Sequence, residues 1–258
     1  MLKEIIIAIQ SYADAHRFIM KHRLWKWIYI PGILYSLLFV AGMYLFWKSS
    51  NHAIEFILLK SGVKNWLDRM HETWLNWLFI MGQLMLHLVL LLFYFSLFKY
   101  LFLILASPVF AYLSEKTDSI LQGKEYPFSF RQLLIDMGRA IKIALRNMLW
   151  QTVYLVSVMI VSLIPVIGWI APVVLLLIEC YYLGFSMIDY NCERNKLSAA
   201  ESIDFIGHHR GLAIGNGGVF YLMHLIPLVG WLFAPSYAVI AATLSLHKAR
   251  SSKVIIGV

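Results

Sequence analysis

The sequence predicts an all-α integral membrane protein: an amphipathic N-terminal helix, two spanning helices, and two duplicated helical hairpins with Pro/Gly apices, read as re-entrant. Three observations predict it. Hydrophobic residues make up 60% of the 258 and the mean hydropathy is +0.71, more apolar surface than one soluble core of this length buries. Long stretches carry no formal charge, the longest being Gly211 to His247 and Asn147 to Ile178. Finally, Leu163-Ile-Pro-Val-Ile-Gly-Trp-Ile-Ala-Pro172 returns as Leu225-Ile-Pro-Leu-Val-Gly-Trp-Leu-Phe-Ala-Pro235, each copy centred in one of those uncharged runs.

Residues 1–27 read as an interfacial helix kept in the mature chain. Leu2, Ile5, Ile6, Ile9, Ala13 and His16 fall near one helical face, and Lys3, Glu4, Gln10, Asp14, Arg17 and Lys21 fall on the others. The mixed charges and the lack of a small-residue cleavage site argue against a signal peptide. Residues 28–47 form the first span, twenty residues without a charge and about 30 Å of helix. Pro31 sits in its first turn, where a missing N–H matters least, and Tyr29, Tyr44 and Trp47 mark its ends.

The second span covers 73–106, an uncharged run from Thr73 that continues past Lys99 to Ser107-Pro108. Residues 109–146 turn polar, with a loop signal at Gly123 to Pro127, and read as a cytoplasmic segment ending in a helix start. Hairpin 1 then occupies 147–190, a polar connector 191–210 and hairpin 2 211–248. Half of each uncharged run is roughly sixteen to eighteen residues, short of the ~20 a spanning helix needs, and the apices lack charged flanks. Re-entrant limbs fit these lengths; a tight turn just outside the membrane is the other reading.

Charge gives orientation. Lys3, Arg17, Lys21, Arg23 and Lys26 outnumber Glu4 and Asp14 in the first twenty-seven residues, so the N-terminus is expected to be cytoplasmic. The net charge of +8 in a chain only 14% charged points to anionic headgroups or an anionic solute as partners, besides the lipid bilayer itself. Nucleic acid is not expected, because the cations flank apolar segments rather than form a soluble basic face. Cys180 and Cys192 suggest neither a disulfide framework nor a metal site, and no cofactor or enzyme motif is present in the sequence.

Four sets of residues are candidates for function. Arg23 and Lys26, around Trp25, suit a tetrahedral oxyanion at a helix start, although such residues also anchor any cytoplasmic helix end. The duplicated breakers Pro165, Gly168, Pro227 and Gly230, with Trp169 and Trp231, shape the hairpin apices and would line a pathway. Glu179, His87 and His224 are ionisable groups inside apolar runs, suited to proton relay or to structural pairing. Gly211, Gly215, Gly217 and Gly218 read as close-packing positions ahead of an anion nest. An anion permease is the leading expectation, and a membrane structural or assembly protein the alternative.

The order of these pieces resembles the CysZ-like family of bacterial sulfate permeases, grouped with the etoposide-induced membrane proteins. The resemblance is carried by Trp27-Ile-Tyr-Ile-Pro31, Leu105-Ala-Ser-Pro108, Ile188-Asp-Tyr190 and His209-Arg-Gly-Leu-Ala-Ile-Gly215 leading into Ile226-Pro227. It implies a homo-oligomeric protein of the bacterial inner membrane, with two full spans and two hairpins that penetrate partway, admitting sulfate for cysteine synthesis. It also implies a sulfate-binding Gly-Leu-Arg motif just before the first span. Counted back from Pro31, those positions read Arg23-Leu24-Trp25, so the motif's glycine and arginine are both replaced.

Overall fold

The computed structural model describes residues 1–60, 73–123, 130–162, 170–226 and 229–252. They form eight helices: α1 Leu2–His22, α2 Trp25–Lys60, α3 Thr73–Gln122, α4 Phe130–Val161, α5 Ala171–Arg194, α6 Ala199–His208, α7 Arg210–His224 and α8 Val229–Ser251. Four stretches among the described residues are long and apolar enough to cross a membrane: Trp25–Ser50, Phe98–Gln122, Ala171–Arg194 and Val229–Ser251. The chain divides into two units, Leu37–Leu101 and the remainder. In the smaller unit α2 meets α3 through Phe39 against Phe98 and Phe46 against Tyr94.

The larger unit is built on close helix contacts. Gly184 of α5 and Gly217 of α7 lie backbone to backbone, since a Cβ at Gly184 would overlap the carbonyl of Ala213 and one at Gly217 the carbonyl of Cys180. This is the packing role expected for Gly217, and Gly211 and Gly215 share it by admitting α1, whose Glu4, Ile5 and Ala8 occupy the space of their missing side chains. Around these contacts Phe185, Met187, Ile188, Leu212 and Ile240 form the buried core.

The structure adds to the sequence expectation in three elements. The helix of the second span continues beyond Ser107-Pro108, α3 running through Pro108 to Gln122. Pro108 leaves the carbonyl of Ile104 without its helical donor, and the Ser107 hydroxyl donates to that oxygen at 2.8 Å. The Tyr190 hydroxyl donates to the carbonyl of Leu103 at 3.2 Å. Residues 109–122 look like a soluble segment by composition, yet Ser114, Thr117 and Asp118 are buried with Phe110 and Leu113, so their polarity serves the interior.

The second is the face α1 turns to its neighbours. Glu4, Ala8, Ser11, Tyr12, Ala15 and Ile19 are buried against the protein, and Leu2, Ile6 and Ile9 of the expected apolar face are left exposed. The buried face packs on α7 and α8: the Tyr12 hydroxyl donates to the Asn216 carbonyl at 2.8 Å, His16 Nδ1 hydrogen-bonds Tyr237 Oη at 2.8 Å, and Lys248 pairs with Asp14. Small residues at Ala8 and Ala15 let the backbones approach, a signal that a hydrophobicity pattern ranks below Leu and Ile.

Third, the polar connector holds a helix of its own. The Ser198 hydroxyl accepts from Glu201 N–H at 3.3 Å while Glu201 accepts from Ser198 N–H at 2.7 Å, a reciprocal cap that starts α6. The same hydrogen bonds hold the Glu201 carboxyl below its ordinary range. Ser198→Ala is expected to weaken α6 by about 1 kcal/mol, read as amide hydrogen exchange about fivefold faster across Ala199–His208 with the other helices unchanged.

Candidate functional site

The turn between α1 and α2 places the basic candidates. Arg23 caps α1 in the left-handed conformation, with φ at 53°, and its N–H bonds the carbonyl of Ile19. Leu24 N–H reaches the same carbonyl at 3.2 Å, and buried Leu24 then accepts from Trp27 N–H at 3.0 Å as α2 begins. A left-handed residue here is where glycine carries no Cβ penalty, so this position is a conformational one. In this chain the turn is held by its hydrogen bonds and buried Leu24, and the position offers a guanidinium. Arg23 and Lys26 are both exposed, at the positive end of the α2 dipole.

Trp25 takes a different part. It packs edge-on against Phe233 of α8 and beside Tyr29. With Met223, Ile226, Val229, Phe233 and Tyr237 it lines an apolar groove of about 240 Å³. The anion candidates therefore separate into two exposed cations and one aromatic residue that joins the start of α2 to the second hairpin.

That hairpin's apex is fastened to α2 by specific contacts. Tyr35 Oη lies 2.9 Å from His224 Nε2, Trp231 Nε1 donates to the His224 carbonyl at 3.1 Å, and the Tyr35 ring packs edge-on against His224. Gly32 faces the backbone of Leu232, and Gly230 abuts the carbonyl of Met223, so neither position has room for a Cβ. The structure thus brings together Trp25, His224, Gly230 and Trp231 from the sequence candidates. Pro165, Gly168, Trp169 and Pro227 lie outside the described residues, as does the side chain of His87, whose backbone is in α3. Glu179 of α5 accepts a hydrogen bond from Gln151 of α4, a structural pairing between the limbs of hairpin 1.

Sequence reading missed two buried ionic sites. At the end of α5, Arg139 of α4 forks onto Asp189 at 2.8 and 3.1 Å, reaches Glu193 at 3.4 Å, and donates to Ser202 of α6. Beside it Arg194 donates to the carbonyl and hydroxyl of Ser114, each at 2.9 Å, and pairs with Asp118 at 3.3 Å. Asp136, one turn ahead of Arg139 on α4, is pushed up from the ordinary carboxylate range by burial, with its Gln132 hydrogen bond and Arg139 opposing. The second site is at the start of α7, where buried Glu4 accepts from Gly211 N–H at 3.1 Å and lies 2.9 Å from His209 Nδ1. Glu4 is the carboxylate cap of that helix. The available signals were Ile188-Asp-Tyr190 and His209-Arg-Gly211, whose polar residues stand at the edges of apolar runs.

Comparison with known proteins now bears on this geometry. The family model described as Sulfate transporter CysZ/Etoposide-induced protein 2.4 matches residues 11–235. Among curated relatives, the sulfate transporter CysZ of Pseudomonas syringae pv. tomato is 32% identical over 69% of this chain and 72% of its own length. The sulfate transporter CysZ of Pseudomonas aeruginosa is 26% identical over 96% of this chain and 97% of its own. That of Pseudomonas fluorescens is 33% identical over 55% of this chain, and that match spans 57% of the relative.

Proposed function

This chain belongs to the sulfate transporter CysZ/etoposide-induced protein 2.4 family, and we propose that it is a multi-pass membrane permease for a small inorganic anion, sulfate, with no enzymatic step. The observation that carries the reading is the α1–α2 turn, which presents exposed Arg23 and Lys26 at the start of a spanning helix and beside the apex of the second hairpin. A guanidinium, an ammonium and a helix N-terminus together suit a tetrahedral oxyanion. The curated relatives named above are sulfate transporters.

Hairpin 2 is read as re-entrant. Its first limb, α7, has 15 residues, about 22 Å of helix against a hydrocarbon core of about 30 Å. Tyr35, which holds the apex residue His224, lies ten positions into α2 from Trp25, about 15 Å along its axis. An apex fastened at that level fits a limb that enters the bilayer without crossing it. Hairpin 1 carries the matching Pro165, Gly168 and Trp169, and its re-entrant reading rests on that repeat. In a homo-oligomer, apices from several copies would line the pathway, with the protein in the bacterial inner membrane and its N-terminus in the cytoplasm.

The test uses Arg23→Gly/Lys26→Gln, because glycine keeps the left-handed turn while removing the charge. Saturable sulfate uptake into proteoliposomes is expected to fall about tenfold or more at limiting sulfate, two charge-assisted contacts being lost, with insertion unchanged. Uptake equal to the parent at every concentration would remove the turn from the pathway.

A further inference from the structure

The groove beside the α1–α2 turn has features that solute entry does not use. Its lining of Trp25, Met223, Ile226, Val229 and Phe233 is apolar, with Tyr237 as its polar edge, and Ile226 and Val229 are more than half exposed. Tyr237 is hydrogen-bonded to His16 of α1, and Met20, one turn further along α1, is exposed on that side. From Ala15 to Ile54 the chain has no acidic residue, while Arg17, Lys21, Arg23 and Lys26 fall within ten positions. Consecutive Cα atoms are about 3.8 Å apart, so Arg23 and Lys26, two positions before and one after Trp25, are within side-chain reach of the rim that Trp25 forms.

An apolar slot with cations at one end has the polarity of a single phospholipid, with its chain in the slot and its phosphate at the rim. A second copy of the chain meeting this face with the same face would place like charges together, which argues against an isologous contact. We infer that the groove holds an acyl chain of an anionic phospholipid whose phosphate is bound by Arg23 and Lys26, so that lipid and solute compete for the entrance. The inference rests on the reading of Arg23 and Lys26 as an oxyanion site and adds a second, membrane-borne occupant. Bilayers rich in anionic lipid would then raise the sulfate concentration needed for half-maximal uptake without lowering the maximal rate.

The experiment measures lipid retained by the purified full chain after exchange through detergent containing equal phosphatidylglycerol and phosphatidylcholine, with two variants beside the parent. Arg23→Gly/Lys26→Gln removes the rim charge, and Val229→Trp, at an exposed position, fills the groove. The parent is expected to retain phosphatidylglycerol in preference, and the double variant to lose about thirtyfold of that preference, two cations acting near a membrane surface. Val229→Trp is expected to release the diacyl lipid while keeping affinity for water-soluble glycerol phosphate. Equal retention of the two lipids by the parent, or a preference unchanged in both variants, would overturn the inference. Glycerol phosphate binding as tightly as the diacyl lipid would also overturn it and leave the oxyanion entrance standing, whereas no binding of either would remove both.

Discussion

Arg139→Leu is expected to unfold the larger unit or lower its stability by about 3–5 kcal/mol, because it strands two buried carboxylates at once. The Arg139 side chain is 13% exposed, and those of Asp189 and Glu193 are each 6% exposed. Asp189 takes both terminal nitrogens of the guanidinium in a fork, Glu193 takes a longer contact, and Ser202 takes a third direction. One side chain thus joins α4, α5 and α6. Arg139→Lys keeps the charge and loses the fork, so it is expected to fall between parent and leucine variant. The measurement is the thermal midpoint in detergent, followed with the fraction of protein that stays monodisperse. A leucine variant as stable as the parent would mean that water or another group already satisfies the carboxylates, and that the network does not hold α4 to α5.

Gly217→Leu is expected to be comparably damaging through pure sterics. At this position even one methyl group would overlap the Cys180 carbonyl, which belongs to the backbone of α5 and has no rotamer to change. Separating α5 from α7 by the width of a side chain would also pull Gly184 from Ala213 and open the core around Phe185 and Leu212. Overpacking of a tight core ordinarily costs about 1–3 kcal/mol, and a clash with fixed backbone lies at or beyond the top of that range. Gly218→Ala is the control: the neighbour nearest its missing Cβ is the Cys180 sulfur at ordinary contact distance, so it should fold like the parent. The comparison is made by thermal unfolding of both variants, and equal midpoints would contradict the proposed α5–α7 contact.

These two sites mark the limit of what could be read from sequence. The apolar runs made the helices legible, because they are local patterns. The close-packing role of Gly217 was legible from glycine spacing in an apolar stretch. The pairing of Arg139 with Asp189 was not, since fifty residues separate them and charge alone names no partner. The same holds for Glu4, which looks like one polar position on an amphipathic helix but caps a helix two hundred residues away. Pro108 misled in the opposite direction: it reads as a helix end until the Ser107 hydroxyl is seen to replace the missing donor. Arg23, Lys26 and Trp25 were legible as candidates from their place before the first span, whereas the packing of Trp25 on Phe233 was not.

The central claim is that the chain carries sulfate across a membrane. Radiolabelled sulfate flux into proteoliposomes containing the intact chain, beside protein-free vesicles of the same lipid, tests it most directly. The account predicts influx that saturates with sulfate concentration and is lost with the Arg23→Gly/Lys26→Gln protein inserted at equal density. Flux no greater than in the protein-free vesicles, with the chain folded and inserted, would contradict it and leave a membrane structural or assembly role in its place.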